Sequence, residues 1–271
     1  MPLTKVLITV KTYPTISSKY EELVCTAGFR EDGSWVRIYP IQFRKKSYNE
    51  QYKKYDWIEL DLVKNNSDFR PESYRPYSID SDINIVGHIG TNNNWAERKN
   101  IVLQKVYTNL TELIAEAHNR EVCTSLAVFK PKRILDFKIE SVKREWDKKK
   151  LESLRQMNLF ETVSTSGKFE VVRKVPYKFS YQFEDDADRK SALMIEDWEI
   201  GQLYWNCLAR YEGDESKAVA DVRKKYFDDF AKTKDLYLFL GTSQVHHFPS
   251  RNPFMIIGTF QPKKELMESL F

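Results

Sequence analysis

The chain has 271 residues, of which 41% are hydrophobic, 30% charged and 14% aromatic, enough to bury a core in one or two compact domains. Its nine glycines and ten prolines exclude collagen-like and low-complexity proteins. The 43 Lys and Arg residues exceed the 39 Asp and Glu residues by only four, so the net charge does not indicate a protein that coats nucleic acid. The longest apolar runs have the length of strands, which argues against a membrane span or membrane partner.

The spacing of the cysteines and the first residues of the chain indicate the cellular compartment. Cys25, Cys123 and Cys207 are widely spaced and odd in number, which fits neither a disulfide framework nor a paired CxxC zinc site. The apolar start alternates with polar residues and has no small-residue cleavage pattern, so it is read as a first strand. We therefore expect a cytoplasmic protein, and no motif indicates a cofactor or a bound metal.

The first part of the chain has the patterns of an antiparallel sheet. Apolar and polar residues alternate over 5–10 and 57–63, 23–29 is a second extended run, and 35–39 is rich in residues that favour strands. Asp32-Gly33 between two of these runs is a hairpin signal. Residues 1–105 are therefore predicted to form a barrel-like β domain.

The second part alternates between helical and strand patterns. Asn109, Asp214 and either Asp197 or a nearby acid are predicted to start helices. A charged helix is expected from about Trp146 to Met157, and a linker or flexible loop over 161–168. Strands are predicted at 134–139, 177–183, 236–240 and 254–260. The fold class is therefore α+β, with a mixed helical and β domain over 106–271 or one continuous unit.

The sequence pattern that best indicates a function is the mixture of aromatic and basic residues that begins at Trp35. Trp35, Arg37 and Tyr39 alternate along a strand with Val36 and Ile38. If Val36 and Ile38 cover the core, the other face is open to stack bases and contact phosphates. The alternative is that the aromatic side chains fill the interior and the basic residues, Arg44 among them, are only solvated.

Two loops add candidate anion-binding groups. The guanidinium groups of Arg70 and Arg75 could each donate two hydrogen bonds to a phosphate. The alternative is that Glu72 pairs with one of them and makes the loop an internal clamp. His246, His247 and Arg251 lie in a polar loop between two apolar strands, a place suited to a substrate or phosphate contact.

A metal-dependent alternative rests on the acidic residues near 197. Glu196 and Glu199 are three residues apart and would share a face of a helix, where carboxylates can bind Mg²⁺ for phosphodiester hydrolysis. The competing interpretation is that acids in a first helical turn are stabilised by the helix dipole without any metal.

Four segments resemble those of an uncharacterised prokaryotic protein family: VKTYPT at 10–15, GSWVRIYPIQFR at 33–44, DWEIGQLY at 197–204 and FLGT at 239–242. This resemblance implies a bacterial or archaeal cytoplasmic protein and carries no activity. The opening is also similar to PUA-like barrels, a similarity that implies recognition of RNA or of a modified base.

We therefore predict a nucleic-acid-binding protein, with RNA and DNA both open and no catalytic residue identified. The alternatives are a Mg²⁺-dependent nuclease and a protein-interaction subunit, and a protein partner or homo-oligomer stays open. The predicted contact residues are Trp35, Arg37, Tyr39, Arg44, Arg70, Arg75, His246, His247 and Arg251.

Overall fold

A computed structural model describes residues 3–17, 21–149, 151–152 and 171–265. The predicted linker 161–168 and the end of the predicted helix 146–157 lie outside these residues.

The first part of the chain forms an eight-stranded sheet that curls into a half-barrel. Its strands are β1 (Thr4–Lys11), β2 (Thr15–Ser17), β3 (Glu21–Phe29), β4 (Trp35–Ile41), β5 (Asp56–Leu60), β6 (Leu62–Lys64), β7 (Ser73–Pro76) and β8 (Asn84–His88). Their order is β6-β7-β4-β3-β1-β5-β8, with β2 paired to β3. All pairs are antiparallel except β4 with β7. Two short 3-10 helices, Phe43–Lys45 and Tyr48–Glu50, follow β4.

The second part contains two further sheets. The four-stranded sheet has the order β15-β14-β10-β9 and is built from β9 (Val106–Tyr107), β10 (Leu126–Phe129), β14 (Tyr237–Thr242) and β15 (Phe254–Phe260). The three-stranded sheet consists of β11 (Arg133–Ser141), β12 (Tyr177–Glu184) and β13 (Lys190–Met194).

The helices are α1 (Asn92–Val102), α2 (Leu110–His118), α3 (Trp198–Arg210) and α4 (Glu215–Arg223), and α4 continues as a π-helix over Lys224–Ala231. Asn109, Asp197 and Asp214 cap the starts of α2, α3 and α4, because each side chain accepts a backbone N–H of the first turn. These three helix starts are confirmed, and with them the α+β fold class. Within the described residues, no helix is long and apolar enough to cross a bilayer.

The β3–β4 hairpin is also confirmed. Asp32 Oδ1 accepts the backbone N–H of Ser34 at 2.9 Å, and Gly33 takes a φ of +78°, which a residue with a Cβ rarely adopts. The turn therefore fixes the register of β3 against β4, the strand that carries Trp35, Arg37 and Tyr39.

One of the hydrophobic clusters joins the half-barrel to the four-stranded sheet. Leu7, Val10 and Phe29 of the half-barrel pack in it with Val128, Phe239 and Phe260. The two sheets therefore face each other across this cluster.

Candidate functional site

Strand β4 presents two faces, but neither of them is an open binding surface. Val36 and Ile38 are fully buried, as the alternation predicts. On the other face Arg37 is only 2% exposed, and the Trp35 ring lies with its centroid 4.0 Å from that of Phe29. The prediction that this face points to solvent is therefore wrong, because the four-stranded sheet covers most of it. Tyr39, which is 39% exposed, reaches the surface.

Arg37 is tied to the second part of the chain. Its Nη1 donates to Ser125 Oγ at 2.7 Å and to Ser73 Oγ at 3.3 Å, while Nη2 donates to the Ser125 carbonyl at 3.1 Å. Glu72 lies 3.9 Å from Nη1 and accepts the backbone N–H of Ser125. Because this guanidinium is buried and bonded on both sides, it joins the two sheets and is not a contact for an external phosphate.

Arg70 has a similar role with a different partner. Its Nε and Nη2 donate to the two oxygens of Asp68 at 2.8 and 2.5 Å, and Nη1 donates to the Thr242 carbonyl at 2.5 Å. The loop is thus an internal clamp, one of the two interpretations of its sequence. The carboxylate that accepts the paired hydrogen bonds of the Arg70 guanidinium belongs to Asp68 and not to Glu72.

The buried charges of this region perturb one another. Burial and the nearby Arg70 lower the pKa of Arg37. Burial alone would raise the pKa of Asp68, but the hydrogen bonds and charge of Arg70 bring it below its usual value. Asp68 therefore stays ionised and keeps the clamp closed at neutral pH.

A cleft of about 500 Å³ opens beside this clamp, between the half-barrel and the start of the loop that follows β14. Its wall includes Tyr13, Tyr39, Arg70, Arg75, Glu196 and Gln244. Its volume lies within the range of small-ligand pockets, roughly 300–1,000 Å³. Four predicted contact residues, Arg37, Tyr39, Arg70 and Arg75, line this cleft together.

Arg75 is the exposed cation of the cleft. Its Nη1 donates to the carbonyls of Pro76 and Tyr77 at 3.2 Å, and it forms no ion pair with any described residue. A guanidinium in this state can turn toward an anion without first breaking a carboxylate contact.

Tyr13 supplies a fixed aromatic wall. Its hydroxyl donates to the Arg173 carbonyl and accepts from Trp205 Nε1, both at 2.8 Å, and its ring lies against Gly201 of α3. Burial raises the pKa of this phenol, so it stays neutral. In the sequence, the one signal at Tyr13 is its place in the segment VKTYPT, which resembles the uncharacterised family.

The acids near 197 are separated in the structure. Helix α3 starts at Trp198, so Glu196 precedes it and shares no helical face with Glu199. Lys54 Nζ lies 2.8 Å from Asp197 and 3.0 Å from Glu199, so both carboxylates have a cation partner. The predicted Glu196–Glu199 pair is therefore wrong. Among the described residues, no group of three His, Cys, Asp or Glu is placed to hold a metal ion.

Glu196 lines the cleft, and its side chain has no partner in the described part of the chain. Its backbone N–H donates to the Ile256 carbonyl at 2.8 Å and its carbonyl accepts from the Tyr13 N–H at 3.1 Å. Its carboxylate makes no hydrogen bond or ion pair with any residue in the described ranges, and burial raises its pKa.

The other predicted contacts lie away from this cleft. Arg44 pairs with Glu22 at 2.6 Å and lines a neighbouring pocket of about 350 Å³, where the Arg173 guanidinium stacks 4.0 Å over the Trp205 ring. His247 is fully buried: Nδ1 accepts from Thr242 Oγ1 at 2.8 Å, and Nε2 donates to the Ala117 carbonyl at 2.7 Å. The prediction that His247 contacts a ligand is therefore wrong.

His246 and Arg251 are both exposed, and neither lines the cleft.

Comparisons with known proteins give a family and no activity. No curated protein matches the chain. A solved structure titled "Structure of murine DNA binding protein bound with ds DNA" covers 98% of both chains at 11% identity and a TM-score of 0.32, which is too low to carry an argument. The family described as "Domain of unknown function (DUF8758)" matches residues 2–104, and "Domain of unknown function (DUF8757)" matches residues 106–271. Since the second match spans more than half of the sequence, the chain belongs to the DUF8757 family.

Proposed function

We propose that the protein binds nucleic acid, RNA or DNA, in the cleft between its two facing sheets. The observation that carries the proposal is the convergence of Arg75, Tyr39 and Tyr13 around an opening of about 500 Å³. Cations at phosphates and aromatic faces under bases are the two contacts that hold a single strand without reading its sequence.

The surroundings of the cleft offer a path for a strand longer than one nucleotide. Tyr13 lines both the cleft and the neighbouring pocket that contains Arg44 and Arg173. Arg173 is exposed and forms no ion pair with the described residues. We infer that a strand with one base in the cleft contacts Arg75 there and Arg173 in the neighbouring pocket.

The proposal is tested by fluorescence anisotropy of labelled single- and double-stranded RNA and DNA at several salt concentrations. We expect wild-type affinity to fall steeply with salt, because phosphate contacts release counterions. Arg75→Ala should weaken binding and reduce the slope of log K against log salt by about 0.7–0.9, the contribution of one phosphate contact.

Lys138→Ala is the matched control, since Lys138 is an exposed cation of β11 that forms no ion pair with the described residues and does not line the cleft. It should leave both the affinity and the salt slope unchanged. The proposal is overturned if no nucleic acid binds at low salt, or if Arg75→Ala and Lys138→Ala have the same effect.

A further inference from the structure

The carboxylate of Glu196 accepts no hydrogen bond from any residue that the structure describes. It lines the cleft, is partly buried, and has no cation within ion-pair distance among the described residues. Arg70, the neighbouring buried cation, is already held by Asp68 and the Thr242 carbonyl. Partial burial raises the pKa of Glu196, so its charged form is less well solvated in the cleft than in water and gains from a ligand that donates hydrogen bonds to it.

The chemistry of an ionised carboxylate limits what can satisfy it. Both of its oxygens only accept, so its best partner presents two adjacent N–H donors. Among the four common bases, only guanine carries two adjacent donors, N1–H and the 2-amino group, on its Watson–Crick edge. Cytosine and adenine pair one amino group with a ring acceptor, and uracil flanks one N–H with two carbonyl oxygens.

We propose that Glu196 selects guanine by accepting hydrogen bonds from N1–H and the 2-amino group of a base inserted into the cleft. This inference rests on the proposed function and adds to it the base that the cleft recognises. Single-stranded and extruded bases are read through this same edge by other proteins.

Hydrogen bonds fix two of the side chains that line the cleft. Gln244 Nε2 donates to the Ser67 carbonyl at 2.6 Å, which ties the loop after β14 to the loop after β6. Tyr13 is fixed through its hydroxyl, as described above. A site whose walls are already ordered loses less conformational entropy when the ligand binds.

The test uses uracil hexaribonucleotides with one central base replaced by guanine, adenine or cytosine, bound to the wild-type protein. We expect the guanine oligonucleotide to bind roughly 5- to 150-fold more tightly than the others, the range found for a bidentate contact to a base. Inosine, which keeps N1–H and lacks the 2-amino group, should bind with intermediate affinity. 1-Methylguanine should lose the preference, and this comparison needs no protein variant.

Glu196→Gln preserves the size of the side chain and replaces one acceptor oxygen with a donor group. It should abolish the preference for guanine and leave the salt dependence intact. Glu97→Gln is the matched control, because Glu97 is an exposed carboxylate of α1 without a partner among the described residues. It should retain the preference.

The outcomes separate the two proposals. Equal, salt-sensitive and Arg75-dependent binding of all four oligonucleotides refutes the role of Glu196 and leaves the cleft as a nucleic-acid site. A guanine preference that survives Glu196→Gln or 1-methylation also refutes that role. Absence of binding to every oligonucleotide refutes the proposed function itself.

Discussion

Substitution of Gly201 by alanine tests whether Tyr13 lies where the structure places it. Inside a helix this change should stabilise the fold by about 0.5–1 kcal/mol, because alanine has the higher helix propensity. Here the added methyl group would lie 2.2 Å from Cδ2 and 2.4 Å from Cε2 of the Tyr13 ring. These distances are far inside van der Waals contact, so the ring or the helix must move.

The ring cannot move without further loss. Its hydroxyl is bonded to the Arg173 carbonyl and to Trp205 Nε1, so displacing the ring breaks or stretches both bonds. Overpacking of this kind costs about 1–3 kcal/mol. After subtraction of the helix gain we expect Gly201→Ala to lower the free energy of unfolding by roughly 1 kcal/mol.

A double-mutant cycle isolates the clash. In a Tyr13→Ala background the same Gly201→Ala change should stabilise the protein by about 0.5–1 kcal/mol, so that the coupling between the two sites is about 1–3 kcal/mol. Tyr13→Phe keeps the ring but loses both of its hydrogen bonds, so in this background the penalty of Gly201→Ala should lie between its values in the wild-type and Tyr13→Ala backgrounds. Urea unfolding followed by circular dichroism measures all of these variants. If Gly201→Ala stabilises the wild-type chain, the ring does not lie against α3 and the wall of the cleft is misplaced.

Three further predictions concern charged and titrating groups. Arg37→Ala should lower the free energy of unfolding by about 3–5 kcal/mol, because it leaves buried polar partners unpaired. Arg75→Ala should leave the free energy of unfolding almost unchanged. Equal melting temperatures for these two variants would contradict the structural role of Arg37. Lys54→Met should also lower the free energy of unfolding by about 3–5 kcal/mol, because it leaves buried Asp197 without its cation. Adding Asp197→Asn should recover much of this loss. The prediction is refuted if urea unfolding shows the double variant to be no more stable than Lys54→Met. Burial lowers the pKa of His247, so the folded state favours the neutral imidazole. The stability that this imidazole contributes is complete above the unfolded-state pKa of ~6.5. It decreases at lower pH, where the unfolded chain takes up the proton first. The urea midpoint should decrease with acidification, and His247→Gln should remove much of that dependence; an unchanged pH profile would refute the role of His247.

The features of the fold that are local in sequence could be predicted. Asp32-Gly33 fixes a hairpin through one turn, and Asn109, Asp197 and Asp214 start helices through bonds to residues two or three positions away. Each of these signals acts within four residues, so the sequence alone contains it.

The surroundings of the contact residues could not be predicted in the same way. Alternation along β4 correctly placed Arg37 on the face opposite Val36, but it does not say what covers that face. The covering group, Ser125, is 88 residues away in the sequence. The pairing of Glu196 with Glu199 failed for a different reason: a spacing of three places two residues on one face only inside a helix, and α3 begins after Glu196.

The cluster that joins the half-barrel to the four-stranded sheet has a consequence for how such proteins can diverge. Phe29 on one side and Phe239 and Phe260 on the other belong to the segments matched by two different families. A chain that carried either segment alone would present these aromatic rings to water unless another polypeptide covered them. Sequence changes on one side of this aromatic contact are therefore constrained by the other side, so substitutions in the cluster should arise in compensating pairs. The residues around the cleft are under no such constraint and can vary with the ligand.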